Sequence, residues 1–127
     1  MYFSSANDFR IAVVPRYKDE STSKHDSQWE YSVFIENNSK SIAQLVSKHW
    51  RITYADGTVH EILGSVSTNE KQIIEPGAVL ELKNTVILKT SSAIIKGHYV
   101  MASKGEEFDI DVPVFSLDNP YKAMSIN

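Results

Sequence analysis

With 127 residues and no cysteine, the chain suits one domain that builds its core without disulfides or a thiolate metal site, since a chain of this size buries roughly two thirds of the surface its unfolded form exposes. Its 13 basic and 16 acidic residues give a formal charge of -3 and are interspersed, so no basic stripe follows a phosphate backbone and nucleic acid is excluded as the expected partner. No apolar run approaches the roughly 20 residues that span a bilayer, and residues 1–8 carry neither a basic n-region nor an apolar h-region, which excludes membrane insertion and makes the cytoplasm the expected location.

Residues 10–14, Arg10-Ile11-Ala12-Val13-Val14, form a short β-rich run. Residues 18–28 are charged and hydroxyl-rich without an apolar period, and read as a solvated loop. From Trp29 the pattern alternates strictly: Trp29, Tyr31, Val33 and Ile35 share one face and Glu30, Ser32 and Glu36 the other, with Phe34 as the exception. This half-buried strand ends at Asn37-Asn38, where Asn37-Asn38-Ser39 matches a glycosylation sequon that has no meaning without a secretory route. Residues 42–54 put Val46, Trp50, Ile52 and Tyr54 on one face and Ser47, His49, Arg51 and Thr53 on the other, with Lys48 snorkelling from the apolar side.

Asp56-Gly57 is a strong hairpin signal. A two-residue type I′ turn there sets Tyr54 against Val59, Trp50 against Leu63, Thr53 against His60 and Arg51 against Ile62, whereas a three-residue loop beginning at Ala55 shifts every pair. Residues 64–75 are polar and aperiodic, and Pro76-Gly77 makes a turn. Val79, Glu81 and Lys83 against Leu80 and Leu82 restore alternation through Val86-Ile87-Leu88. After a loop at Thr90-Ser91-Ser92, Lys104-Gly105 predicts a second hairpin with Met101 facing Phe108, Tyr99 facing Ile110 and His98 facing Asp111. Gly97-His98-Tyr99 looks like a tyrosine corner. No stretch sustains a helical period, so the expected fold is all-β, a disulfide-free antiparallel sandwich of the immunoglobulin or fibronectin-III kind, with its core over residues 10–117 and a loose tail over 118–127.

Two groups of residues have chemistry to offer a ligand or partner. His49, Arg51, Thr53 and His60 share an outward face under the two-residue turn, two imidazoles beside a fixed cation. The loop from Gly64 through Ser65 to Asn69, with Lys71, is a candidate nest of backbone amides for a small anion. His98 with Asp109 and Asp111 is the only grouping with metal-like donors, and two carboxylates are too few for a hard divalent ion on their own. No G-x-S-x-G elbow occurs, no catalytic residues or cofactor are expected, and the aromatics alternate inward as core. Open sheet edges leave a homodimer available.

The block Ser47-Lys48-His49-Trp50-Arg51-Ile52-Thr53, then Asp56-Gly57, Gly64, Glu75-Pro76-Gly77, Leu88-Lys89-Thr90, Gly97-x-Tyr99-x-Met101 and Phe108-Asp109 with Pro113-x-Phe115, resembles the ApaG family of small bacterial proteins, whose domain is also fused to F-box and polymerase-interacting proteins in eukaryotes. The resemblance runs over about residues 10–117. It implies a fibronectin-III-like sandwich with a binding or protein-interaction role rather than an established enzymatic one. It also implies, as the alternative, a small-anion or divalent-metal-linked sensor, through the family's association with cobalt and magnesium tolerance and with dinucleoside polyphosphate hydrolysis. The family's G-x-G-x-x-G is here Gly64-Ser65-Val66-Ser67-Thr68-Asn69, with only its first glycine. Thr85, Ala93 and Ser91 stand where two family glycines and a proline are expected. Added Cβ atoms oppose a loop that works by close backbone approach to an anion.

Overall fold

In a computed structural model that describes residues 1–18, 27–65 and 72–118, nine strands run in the order β1 (Tyr2–Ala6), β2 (Phe9–Lys18), β3 (Ser27–Asn37), β4 (Ala43–Tyr54), β5 (Val59–Ser65), β6 (Gln72–Ile74), β7 (Val79–Leu88), β8 (Ser92–Ser103) and β9 (Glu106–Asp118). They form two antiparallel sheets, one ordered β1-β2-β3-β7 and the other β5-β4-β8-β9 with β6 also paired to β4. The expected antiparallel sandwich is borne out. Residues 19–26, most of the expected solvated loop, and residues 119–127, most of the expected tail, lie outside the described residues, while Asp118 belongs to β9.

Alternation decides which side chains meet between the sheets. Tyr31, Val33 and Ile35 of β3 are buried as the period requires, with Trp29 packed partly against them. From the other sheet come Trp50, Ile52, Ile95, Tyr99, Met101, Ile110, Val112, Phe115 and Leu117. The aromatic centre bridges the layers: the Tyr31 ring lies 5.7 Å from Trp50 and 5.4 Å from Phe115, and Trp50 meets Tyr99 edge-on at 5.6 Å. Tyr99 sits mid-strand, opposite Lys48 and Ile110, so it is a core residue and not a tyrosine corner.

Burial pushes the Tyr31 hydroxyl up to about 12, with Tyr54 adding a smaller repulsive contribution. Tyr99 is raised further, first by burial and then by Tyr31. The unfolded phenol titrates near pH 10, so the preference for neutral phenols is fully present below about pH 10 and is lost as pH rises from there through about 12. Alkaline unfolding followed by circular dichroism should therefore begin above about pH 10, and Tyr31→Phe should move its midpoint upward.

Three local corrections concern strands and parity. A β-bulge between Leu45 and Ser47 interrupts the β4–β8 ladder, so Val46 drops out of the inward set and Ala43 and Leu45 fill it instead. The stretch expected to be aperiodic contains the end of β5 and the short β6. Residues 1–8 contain β1, turned into β2 by Asn7 and Asp8 at φ of 51° and 64°. The sequon asparagine is structural: Asn37 is fully buried, its amide donates to Ser41 O at 2.8 Å and Ile74 O at 2.9 Å, and its Oδ1 accepts from Ser39 N and Oγ. That leaves no amide hydrogen free for a glycan.

Candidate functional site

Two hairpins set the site's register, and only one follows the two-residue pattern. Lys104 and Gly105 take φ of 55° and 76°, and Met101–Phe108, Tyr99–Ile110 and His98–Asp111 pair as expected. At Asp56-Gly57 only Gly57 has positive φ, 89°. Tyr54 N donates to Thr58 O at 2.8 Å and Gly57 N to Tyr54 O at 2.9 Å, which closes a three-residue loop. The Asp56 carboxylate accepts from Thr58 N at 2.9 Å, and that bond holds its carboxyl below the ordinary carboxylate range. A type I turn followed by one left-handed glycine needs a single positive φ, and the Asp56 cap favours it.

The pairing consequently shifts by one residue to Thr53–Val59, Arg51–Glu61, Trp50–Ile62 and His49–Leu63. His60 now opposes Ile52 and leaves the outward group; it is exposed only because β5 is an edge strand. Gly64 lies within β5 opposite Lys48 rather than in a loop, with Ser65 beside it, and it has no positive φ. A Cβ added at Gly64 meets only the Lys48 side chain, Cε at 3.3 Å. Gly64→Ala should therefore change stability by no more than about 0.5 kcal/mol in urea unfolding. Asn69 and Lys71 lie outside the described residues.

The β4–β8 ladder joins two groups that looked separate in sequence. His49 stands directly opposite His98, their rings 5.1 Å apart and perpendicular, and His98 stands opposite Asp111. Arg51 is opposite Lys96 on one side and Glu61 on the other. These residues line one depression of about 330 Å³ on the outer face of the second sheet, with Val112 and Val114 at its β9 side. Glu61 leans toward His49, Oε2 to Nε2 at 3.9 Å, too long for a hydrogen bond. His49 Nε2 is buried and, among the described residues, has no hydrogen-bond partner. Asp109 follows on β9, opposite Val100, yet no three His, Asp or Glu side chains among the described residues are placed to hold a metal ion.

Around this polar centre four large apolar side chains face outward: Leu63 (73 % exposed), Val114 (55 %), Ile94 (54 %) and Val59 (43 %). The ladders set polar residues between them: Thr53 stands between Val59 and Ile94, and Glu61 between Val59 and Leu63 along β5. On the first sheet the exposed apolar residues are dispersed: Val79 and Ile87 stand near opposite ends of β7, and Phe3 is capped by the Arg10 guanidinium at 4.5 Å. Glu61, Lys96 and the outward apolar side chains are not marked as site residues by the sequence. Alternation alone marks Ile94, Lys96 and His98 as one face, but which strand lies beside it depends on the non-local β4–β8 pairing.

Arg51 and Lys96 set like charges directly opposite on adjacent strands, an arrangement that destabilises a sheet. Lys96→Glu converts it to an opposite-charge pair and should raise stability by roughly 0.2–1 kcal/mol, read as a higher urea midpoint at unchanged slope.

Comparison with known proteins gives one consistent result. A family model for the ApaG domain matches residues 17–103. The chain is 35% identical over 130 residues to Protein ApaG of Methylocella silvestris, covering 100% of each, and 37% identical over 123 residues to Protein ApaG of Rhizobium leguminosarum, covering 94% of this chain and 95% of that one. It is also similar to the crystal structure of the putative ApaA protein from Bordetella pertussis, with TM-score 0.81, 28% identity, and coverage of 89% of this chain and 94% of that chain.

Proposed function

The chain belongs to the ApaG domain family, and on that premise we propose that it is a non-enzymatic protein-interaction module of the cytoplasm, which engages a partner through the outer face of the β5-β4-β8-β9 sheet. The observation that carries this reading is the ring of Leu63, Ile94, Val114 and Val59 around the polar centre of one sheet face. Several large apolar side chains set about a polar centre on one sheet face are what an interaction site presents, whereas dispersed exposed residues such as Val79 and Ile87 need no such explanation. Interface centres of this kind combine apolar anchors with a few oriented polar groups, Arg foremost among them.

A second reading, a small-anion sensor, draws on the opposed cations Arg51 and Lys96. It accounts for the centre of the face but leaves the apolar ring without a role. No nucleophile, base and oxyanion donor come together at the depression, whose titratable lining is His49, Arg51, Glu61, Lys96, His98 and Asp111.

The test is comparative affinity capture with the wild-type chain, a Leu63→Glu/Ile94→Glu variant, and a control carrying Val79→Glu/Ile87→Glu on the first sheet. Partners held by wild type and control but lost with the first variant are expected. Equal capture by all three, or loss with the control alone, contradicts the assignment of the face.

A further inference from the structure

We infer that the centre of this face receives a carboxylate side chain of the partner protein, held between Arg51 and Lys96 while the aliphatic neighbours of that acidic residue lie on Leu63, Ile94 and Val114. The inference rests on the interaction reading above and specifies the chemistry of what docks.

Three observations lead there. Arg51 and Lys96 are directly opposite in the β4–β8 ladder, at a spacing of about 4.5–5.5 Å between Cβ atoms. Neither makes an ion pair among the described residues, although two carboxylates share the face: Glu61 leans instead toward His49, and Asp111 is placed opposite His98. The sheet thus sets two like charges side by side, and Glu61, though opposite Arg51 on β5, closes no ion pair with either, a local conflict of the kind that a ligand relieves. The third observation is the buried Nε2 of His49 lining the same depression, which has no hydrogen bond among the described residues and faces Glu61 Oε2 only at 3.9 Å, a further polar atom that an incoming oxygen can satisfy.

The chemistry of the surroundings selects among anions. A free inorganic anion could sit between the cations but would leave Leu63, Ile94 and Val114 in water. A phosphate backbone would run its next charges onto Glu61, Asp109 and Asp111. A lone acidic side chain amid aliphatic residues matches both parts, with the guanidinium presenting its planar fork to the carboxylate and the ammonium acting as a point charge. The depression, about 330 Å³, has room for such a side chain.

Nuclear magnetic resonance titration of the full chain with three probes tests this: acetyl-Leu-Glu-Leu-amide, its Gln counterpart, and inorganic phosphate. The acidic peptide should shift backbone resonances of Arg51, Lys96 and His98 with at least tenfold higher affinity than the Gln peptide, and the preference should weaken with salt and vanish in the Arg51→Gln/Lys96→Gln variant. Because these side chains are exposed, the variant retains its fold, which its own spectrum verifies. Equal binding of both peptides to the face overturns the carboxylate inference and leaves the interaction face standing. No shifts on the face with either peptide at millimolar concentration overturn both. Phosphate shifting the same resonances as strongly as the acidic peptide overturns the docking inference in favour of the small-anion reading.

Discussion

Gly97→Ala should lower stability by about 3 kcal/mol, the upper end of the usual range for overpacking, and reduce the melting temperature by roughly 10 °C. Gly97 sits opposite Trp50 in the β4–β8 ladder, and the indole lies over it. A Cβ there falls 2.6 Å from Trp50 Cε3, 2.9 Å from Cδ2 and 2.8 Å from His49 O. The backbone oxygen cannot rotate away, and the indole is enclosed by Tyr31, Tyr99 and Phe115. In a Trp50→Leu background the same substitution should cost less, because only the His49 O contact remains, and a thermodynamic cycle measures the coupling. A cost under about 0.5 kcal/mol in the wild-type background contradicts this packing. The contact joins the Trp50 block to the Gly97-x-Tyr99 block: the glycine makes room for the ring, and the tyrosine closes its edge.

Trp50→Ala should cost roughly 3–5 kcal/mol, as large aromatic truncations in cores do. That is a large part of the 5–15 kcal/mol by which a typical domain is stable. Trp50 is 1 % exposed and is the largest fully buried side chain. Its Nε1 is buried and has no hydrogen-bond partner among the described residues, so the ring contributes through packing and not through a polar contact. Trp50→Phe should accordingly keep most of the stability, since it removes an unsatisfied N–H together with part of the ring. Chemical unfolding of the three proteins decides it; an alanine variant within 1 kcal/mol of wild type refutes the central role of this side chain.

Much of the fold was legible because alternation is local. The β3 pattern from Trp29 to Ile35 and the Lys104-Gly105 hairpin needed only a period of two and a turn residue, and both stand. Bulges are where such reasoning slips, since one unpaired residue near Val46 reverses the parity behind it. Asp56-Gly57 was ambiguous for a related reason: a glycine after an aspartate serves either a two-residue or a three-residue loop, and the Asp56–Thr58 hydrogen bond chose the longer. The short β6 and the first strand gave too little periodic signal to register.

For the candidate site, His49 and Arg51 were legible as outward residues of β4, and His98 and Asp111 as a cross-strand pair. That these form one surface was not, because nothing in the sequence says that residues 47–54 lie beside residues 93–100. The same gap hid Lys96 and the apolar ring, and the loop turn took His60 to the opposite face.

The proposed interaction face is tested most directly by lysine-reactive labelling of the protein, alone and in an extract of the cells that make it, with each lysine read by mass spectrometry. Lys96 lies at the centre of the face, while Lys83 of β7 and Lys104 of the last hairpin are exposed elsewhere. Protection of Lys96 in the extract, with Lys83 and Lys104 unchanged, is the expected result. Unchanged reactivity of Lys96, or protection of Lys83 in its place, would contradict a partner docked on the β5-β4-β8-β9 face.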